Sequence, residues 1–195
     1  MLTIVWDVDD VLNDLMRQWF TNCWMTENPE SRLSYGDLTS NPPHVVLRIS
    51  RDEYLNSLDE FRKTKKALAL EPNPAVLEWM RRHGERFRHI ALTARPLASA
   101  PNVADWVIRH FGAWIRCFGV VHTRENDGLP VYDRDKGGFL DWIKCGDIMV
   151  DDSTENIRQA QLRGLKTLLY PRPWNDSDMS IEDLLNRLTN MAVDR

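Results

Sequence analysis

Cysteine is scarce in this chain, with Cys23, Cys117 and Cys145 the only ones in 195 residues. No two of them form a C-x-x-C pair, so neither a zinc site nor a disulfide framework is expected, and reduced thiols in a cytoplasm are the simplest case. Positive charge is not in excess: 25 Lys and Arg stand against 29 Asp and Glu. A net charge of −4 argues against a partner that is a nucleic-acid polymer. The one short basic patch, Arg62, Lys63, Lys65 and Lys66, reads as a solvated helix face. Long apolar runs are missing too. None approaches the roughly 18 residues of a membrane span, and the start of the chain is acidic by residue 7, where a secretory leader would be basic and then apolar. The expectation is a cytoplasmic protein without a membrane partner. The five histidines show no metal-ligand spacing, and there is neither an internal repeat nor a low-complexity segment.

What is present has the composition of an ordinary globular protein, 43% hydrophobic and 28% charged. The length allows one full core and a modest insertion. The organising stretch is the first: Leu2, Thr3, Ile4, Val5 and Trp6 read as a short buried strand, followed at once by Asp7, Val8, Asp9 and Asp10. Val11, Leu12, Leu15, Met16, Trp19 and Phe20 then fall at helical spacing. Residues from about Glu27 to Pro43 are rich in Pro, Ser, Asn and Gly and read as loop with a short helix at most. Ser50 and Glu53 have capping-box spacing and open a helix with Tyr54, Leu55, Leu58 and Phe61 on one face. Residues 14–72 are too long for a crossover helix, and are expected to form a small helical insertion.

Asn73 and Pro74 suit an N-cap and first helical position, and Gly84 the end of that helix. Strands are expected over Phe87–Leu92 (ending at Thr93), Cys117–Val121, Ile148–Val150 (ending at Asp151 and Asp152) and Thr167–Tyr170. Helices fall between them: about 102–111, one opened by Lys136, one capped by Ser153 and closed by Gly164, and a last one opened by Ser180 and Asp183. The stretch 123–133 is polar and turn-rich. Strict alternation of strand and helix implies a parallel sheet covered on both faces, an α/β fold. Of the tryptophans, Trp6, Trp79, Trp106 and Trp142 lie on apolar stripes and are expected in the core. Trp19 and Trp24 are expected to pack, with stacking on a substrate ring as the alternative.

In a parallel sheet the strand ends share one edge, the edge where open α/β sheets bind ligands. Asp7, Asp9, Thr93, Asp151 and Asp152 therefore converge, joined by Lys136. Chemically this set suits phosphoryl transfer. A carboxylate such as Asp7 can attack phosphorus, and Asp9 can protonate a leaving oxygen and later deprotonate water. Asp7 and one of Asp151 and Asp152 can hold Mg²⁺, while Thr93 and Lys136 can hold phosphate oxygens. The plainer alternatives are that Thr93 caps a turn, that Arg95 pairs with a surface acid, and that Lys144, late in the same helix, competes with Lys136. Lys144 is better explained as a cation at a helix C-terminus.

With IVWDVDDVL, IALTARP, Lys136 and IMVDDSTENI in order, the chain resembles the haloacid-dehalogenase (HAD) superfamily of phosphatases. The resemblance implies a three-layer Rossmann-like core over 1–13 and 73–195 with a helical cap over 14–72. It implies Asp7 as nucleophile, Asp9 as acid/base, and Thr93, Ala94, Arg95 and Lys136 as the phosphate-binding set. Mg²⁺ would be held by Asp7, the Asp9 carbonyl and Asp152, with Asp151 acting indirectly. Within the superfamily the chain looks most like the 5′(3′)-deoxyribonucleotidase-like group, on Tyr35–Thr39, the early cap and Tyr170–Asn175. Two positions depart from the pattern: Asp10 stands where Gly is common, and Ala94 where Ser often follows the Thr. The expected activity is Mg²⁺-dependent hydrolysis of a phosphomonoester through an aspartyl-phosphate, on a small molecule such as a nucleoside monophosphate. The alternatives are a phosphatase or phosphotransferase for another small phosphoester, or a non-catalytic phospho-accepting or binding protein. A signalling receiver fits less well, because a second acidic pair follows the Lys and a cap intervenes.

Overall fold

The computed structural model describes residues 1–122 and 128–191, so part of the expected turn-rich stretch lies outside the described residues. Five strands form one parallel sheet: β1 (Thr3–Asp7), β2 (Arg88–Thr93), β3 (Ile115–Val120), β4 (Ile148–Asp151) and β5 (Lys166–Leu169). Their order is β3-β2-β1-β4-β5. β1 is central, with Val5 level with Ile90 on one side and Met149 on the other, and all five of its residues are buried.

The side-chain alternation of β1 divides the layers. Ile4 and Trp6 point into a cluster with Val76, Met80, Trp106, Phe111 and Leu184, so helices Pro74–His83, Ala100–Phe111 and Ile181–Asn190 cover that face. Val5 points the other way, to Ile90, Leu92, Leu140, Met149 and Ala160, beneath helices Lys136–Ile143 and Thr154–Leu162. The indole N–H of Trp6, fully buried, donates to His89 Nδ1 at 3.0 Å. The expected cappings by Ser50, Asn73, Ser153 and Ser180 are all present. Trp142 departs from expectation: it is 73% exposed and touches Phe139 edge-on at 5.5 Å. Leu140 and Phe139 fill the sheet side instead, and Phe139 lies so close to Gly119 of β3 that a Cβ there would meet it at 2.6 Å. Among the described residues, no helix is long and apolar enough to cross a membrane.

A third apolar cluster is drawn almost wholly from residues 15–70. Trp19, Trp24, Leu38, Tyr54, Leu58 and Phe61 are its centre, with the helix Arg51–Arg62 and the helical stretch from Leu15 to Glu27 around it. Its two connections to the sheet run side by side, where the amide of Asn73 donates to the carbonyl of Leu12 at 2.7 Å.

The stripe that begins at Val11 does not make one helix. A wide turn covers Val8–Leu12 with Asp10 in the left-handed region at φ 61°, and Asn13 is extended before helix begins again at Leu15. Asp tolerates that conformation better than most residues, and Gly, common at this position in the resembled family, tolerates it best. The break is held by a distant residue. Arg172 Nε donates to the Asp10 carbonyl at 2.5 Å, its Nη2 to the Asn13 carbonyl at 3.3 Å, and the same group pairs with Asp14 at 2.6 Å. Asp10 Oδ1 accepts from Met16 N, and Asn13 Oδ1 from Leu15 N, so the first two amides of the new helix have partners. Removing the guanidinium strands two carbonyls. We expect Arg172→Ala to cost ~2–4 kcal/mol, read as a fall in melting temperature; a loss under ~1 kcal/mol would mean that the turn holds without it.

Candidate active site

Asp7, Thr93 and Asp151 are the last residues of β1, β2 and β4. The parallel register therefore brings them to one edge, whatever their separation in sequence. Lys136 is the first residue of its helix, behind the Asp135 N-cap, and is buried. Its Nζ lies 2.7 Å from Asp7 Oδ1 and 2.7 Å from Asp151 Oδ2. Asp7 Oδ1 also accepts from Val8 N at 2.7 Å, so both contacts fall on the same oxygen. Asp151 is fully buried and further held by Ser153 N and Asn156 Nδ2. Asp152 Oδ2 accepts from Trp174 Nε1 at 2.7 Å, and its carbonyl from Asn175. Lys144 is exposed and ends its helix in a left-handed conformation.

Ligand atoms of Asp7, Asp151 and Asp152 all lie within 4.8 Å of one another. Three carboxylates face one ammonium. Burial raises the Asp7 carboxyl well above its usual range; Lys136 pulls it back, and Asp151 and Asp152 push it up again. Burial, then Asp151 and Asp10, raise Asp152 to about 7. Burial raises Asp10 to about 7 as well, against the pull of Arg172. Burial lowers the Lys136 pKa, but Asp151 and Asp7 more than reverse that. An excess of hard oxygen donors in a buried cluster fits a divalent cation of the Mg²⁺ kind.

Asp9 has a different setting. Burial alone would raise it, but Arg95 and then Arg62 hold it down to about 2. Arg95 Nε donates to Asp9 Oδ2 at 2.7 Å and Nη2 to Oδ1 at 2.5 Å; Arg62 Nη2 reaches Oδ2 at 3.1 Å. As arranged here Asp9 is an ionised carboxylate with both oxygens taken by guanidinium donors. Arg95 thus pairs with an acid of the site rather than of the surface. The solvated-face reading fails for Arg62, whose side chain is 12% exposed, while Lys63, Lys65 and Lys66 are exposed as expected.

A cavity of about 400 Å³ joins these groups. Asp7, Asp9, Thr93, Ala94, Arg95, Lys136 and Asp152 line it from the sheet side, and Leu15, Met16, Arg51, Tyr54, Leu58 and Arg62 from the helical side. Asp151 stands behind Lys136. Thr93 Oγ1 accepts from Arg95 N at 3.3 Å, so Thr93 both shapes the turn and faces the cavity. Arg62, Asn156 and Trp174 are site residues that sequence reasoning did not find as such. A signal for the first was there: Arg51, Tyr54, Leu58 and Arg62 recur at i, i+3, i+7 and i+11, one helical face.

No family model matches the sequence, and none of the curated proteins compared with it does. Solved structures do. A haloacid dehalogenase-like family hydrolase from Streptococcus pneumoniae superposes with a TM-score of 0.61 over 95% of this chain and 90% of its own, at 15% identity. A HAD-superfamily hydrolase from Ehrlichia chaffeensis gives 0.55 over 98% and 97%, at 12% identity. The HAD-hydrolase YfnB from Bacillus subtilis, solved bound to magnesium, gives 0.51 over 98% of each chain, at 13% identity. The chain has the α/β Rossmann-like fold that these hydrolases share.

The shifted carboxyls fix a pH dependence. Asp10 and Asp152 titrate near 7 when folded, Asp7 is raised too, and all three sit near 3.8 when unfolded. Between about pH 4 and 7 the folded state then holds more protons, so stability rises as pH falls through that window. His89, lowered by burial from 6.5, works the other way, one group against three. The depressed Asp9 adds stability that is present above 3.8 and lost below it, outside the window. The metal-free protein should melt higher at pH 5 than at pH 8, and Asp152→Asn should gain at pH 8. Added Mg²⁺ should flatten the slope. A melting temperature that falls from pH 8 to pH 5 without metal would overturn this charge assignment.

Proposed function

We propose that the chain is a Mg²⁺-dependent phosphomonoester hydrolase that carries the phosphoryl group transiently on Asp7. The observation behind this reading is the Lys136 ammonium held between Asp7 and Asp151, 2.7 Å from each, with Asp152 completing a carboxylate cluster at the carboxyl edge of a parallel sheet. A buried lysine in that position has a purpose that a helix-surface lysine does not.

The contact of Lys136 on Asp7 Oδ1 favours Oδ2 as the attacking oxygen. As it attacks phosphorus, the bond from phosphorus to the leaving oxygen breaks and that oxygen takes a proton from Asp9. Water then attacks the aspartyl-phosphate, gives its proton to Asp9, and phosphate departs with Asp7 restored. Thr93 and Lys136 hold the non-bridging oxygens, with the turn at Ala94 and Arg95 beside them. Bound at Asp7, Asp152 and the Asp9 carbonyl, Mg²⁺ would supply charge neutralisation on those oxygens. Asp151, occupied by Lys136, Ser153 and Asn156, orients the lysine. The helices of residues 14–72 act as a cap over the cavity and exclude water.

The finer reading of the substrate is a nucleoside monophosphate, and it rests on the resemblance to the deoxyribonucleotidase-like group. Trp19 and Trp24 are packed in the helical cluster and do not line the cavity, so Tyr54 is the aromatic side chain available to a base or sugar. Phosphate release should be measured from nucleoside monophosphates, sugar phosphates and an aryl phosphate, with and without Mg²⁺. Metal-dependent release is expected, reduced roughly 10³-fold or more in Asp7→Asn without loss of fold. An unchanged rate in that variant would falsify the covalent mechanism, and release from esters other than nucleotides alone would discard the nucleotidase label.

A further inference from the structure

We propose that Arg62 and Arg95 form a second anion site, which takes a carboxylate or phosphate on the leaving-group half of the substrate. This rests on the phosphomonoesterase reading above. With Arg95 on both of its oxygens and Arg62 on one, Asp9 cannot turn a proton toward a leaving oxygen. The donors must be drawn off first. Both side chains are enclosed, Arg95 at 7% and Arg62 at 12% exposed; Arg62 keeps Asp59 when it leaves Asp9, but Arg95 pairs with Asp9, and an enclosed cation left without a counter-charge is strongly disfavoured. Whatever draws them off must therefore be an anion.

The transferred phosphoryl group is a poor candidate for that anion. Its oxygens already have Lys136 and Thr93 as partners, and Mg²⁺ would add positive charge there. A neutral leaving group would leave the arginines where they are. The guanidinium fork matches carboxylate and phosphate in a bidentate manner, and Asp9 occupies the Arg95 fork as an internal stand-in. Arg62 also has a donor to spare, since its Nε is buried and makes no hydrogen bond among the described residues. Its Nη1 goes to Asp59 at 2.8 Å and its Nη2 to Asp9. Arg51 lines the same cavity from the same helix, which makes the cap side of the pocket basic at both ends of the Tyr54 and Leu58 stripe. The cavity, about 400 Å³, suits a small ester with two anionic groups, and a nucleotide meets the requirement if it carries a second phosphate.

Two matched pairs test this: 3-phosphoglycerate against glycerol 3-phosphate, and fructose 1,6-bisphosphate against fructose 6-phosphate. Dissociation constants are read by calorimetry on Asp7→Asn with Mg²⁺ in excess, and kcat/KM on the wild type. The doubly anionic member of at least one pair should bind about tenfold tighter or better, and the pair that shows it distinguishes carboxylate from phosphate. Adding Arg62→Met should collapse the ratio, and Arg62→Lys, which keeps the charge and loses the fork, should restore part of it. Equal affinity within both pairs overturns the anion site whatever is hydrolysed. So does a preference that survives both Arg62→Met and Arg95→Met. A binding preference without phosphate release from any ester in the wild type keeps the site and overturns the hydrolase reading instead.

Discussion

The structure turns on one ammonium group among three carboxylates. Lys136 is enclosed at the start of a short helix, and its contacts with Asp7 and Asp151 tie that helix to the ends of β1 and β4. Without it, the central edge of the sheet would gather like charges on largely buried side chains. With it, three carboxylates still face one ammonium, a surplus of negative charge that a divalent ion would offset and that couples the cluster to pH. The same arrangement separates two acids that stand two residues apart. Asp7, buried beside Asp151 and Asp152, is raised despite Lys136; Asp9, buried too, is lowered by Arg95 and Arg62. Two carboxyls driven in opposite directions can take different parts in one reaction.

A second set of contacts comes from the segment after β5. Arg172 holds the turn that carries Asp10, Trp174 holds Asp152, and Asn73 at the exit from the insertion bonds to the Tyr170 hydroxyl at 2.6 Å. Trp174 also meets Tyr35 of the insertion edge-on at 6.1 Å. One short segment thus touches a site carboxylate, the bend below the insertion and the insertion itself.

Much of this was legible from local patterns. The apolar β1 run ending on Asp7, the caps at Ser50, Asn73, Ser153 and Ser180, and the alternation of strand and helix each depend on neighbours in sequence. The convergence of Asp7, Thr93, Lys136, Asp151 and Asp152 followed from the parallel sheet. What escaped depends on contacts through space. The stripe from Val11 was helical by spacing, yet Arg172, some 160 positions away, holds it open. Arg62 looked like its exposed neighbours Lys63, Lys65 and Lys66, and differs because its helix face meets Asp9. Trp142 lay on an apolar stripe, but a helix of eight residues has little sheet-facing surface, and Leu140 and Phe139 use it.

The paired connections of the insertion, joined by the bond from Asn73 to Leu12, have a mechanical meaning. Two strands of chain crossing side by side resemble closely spaced pins on a door. Such a mount resists translation and twisting, and leaves swinging about one axis as the easy motion. A swing about that axis would move the helix that carries Arg51, Tyr54, Leu58 and Arg62 as one body, so that the four would enter or leave the cavity together.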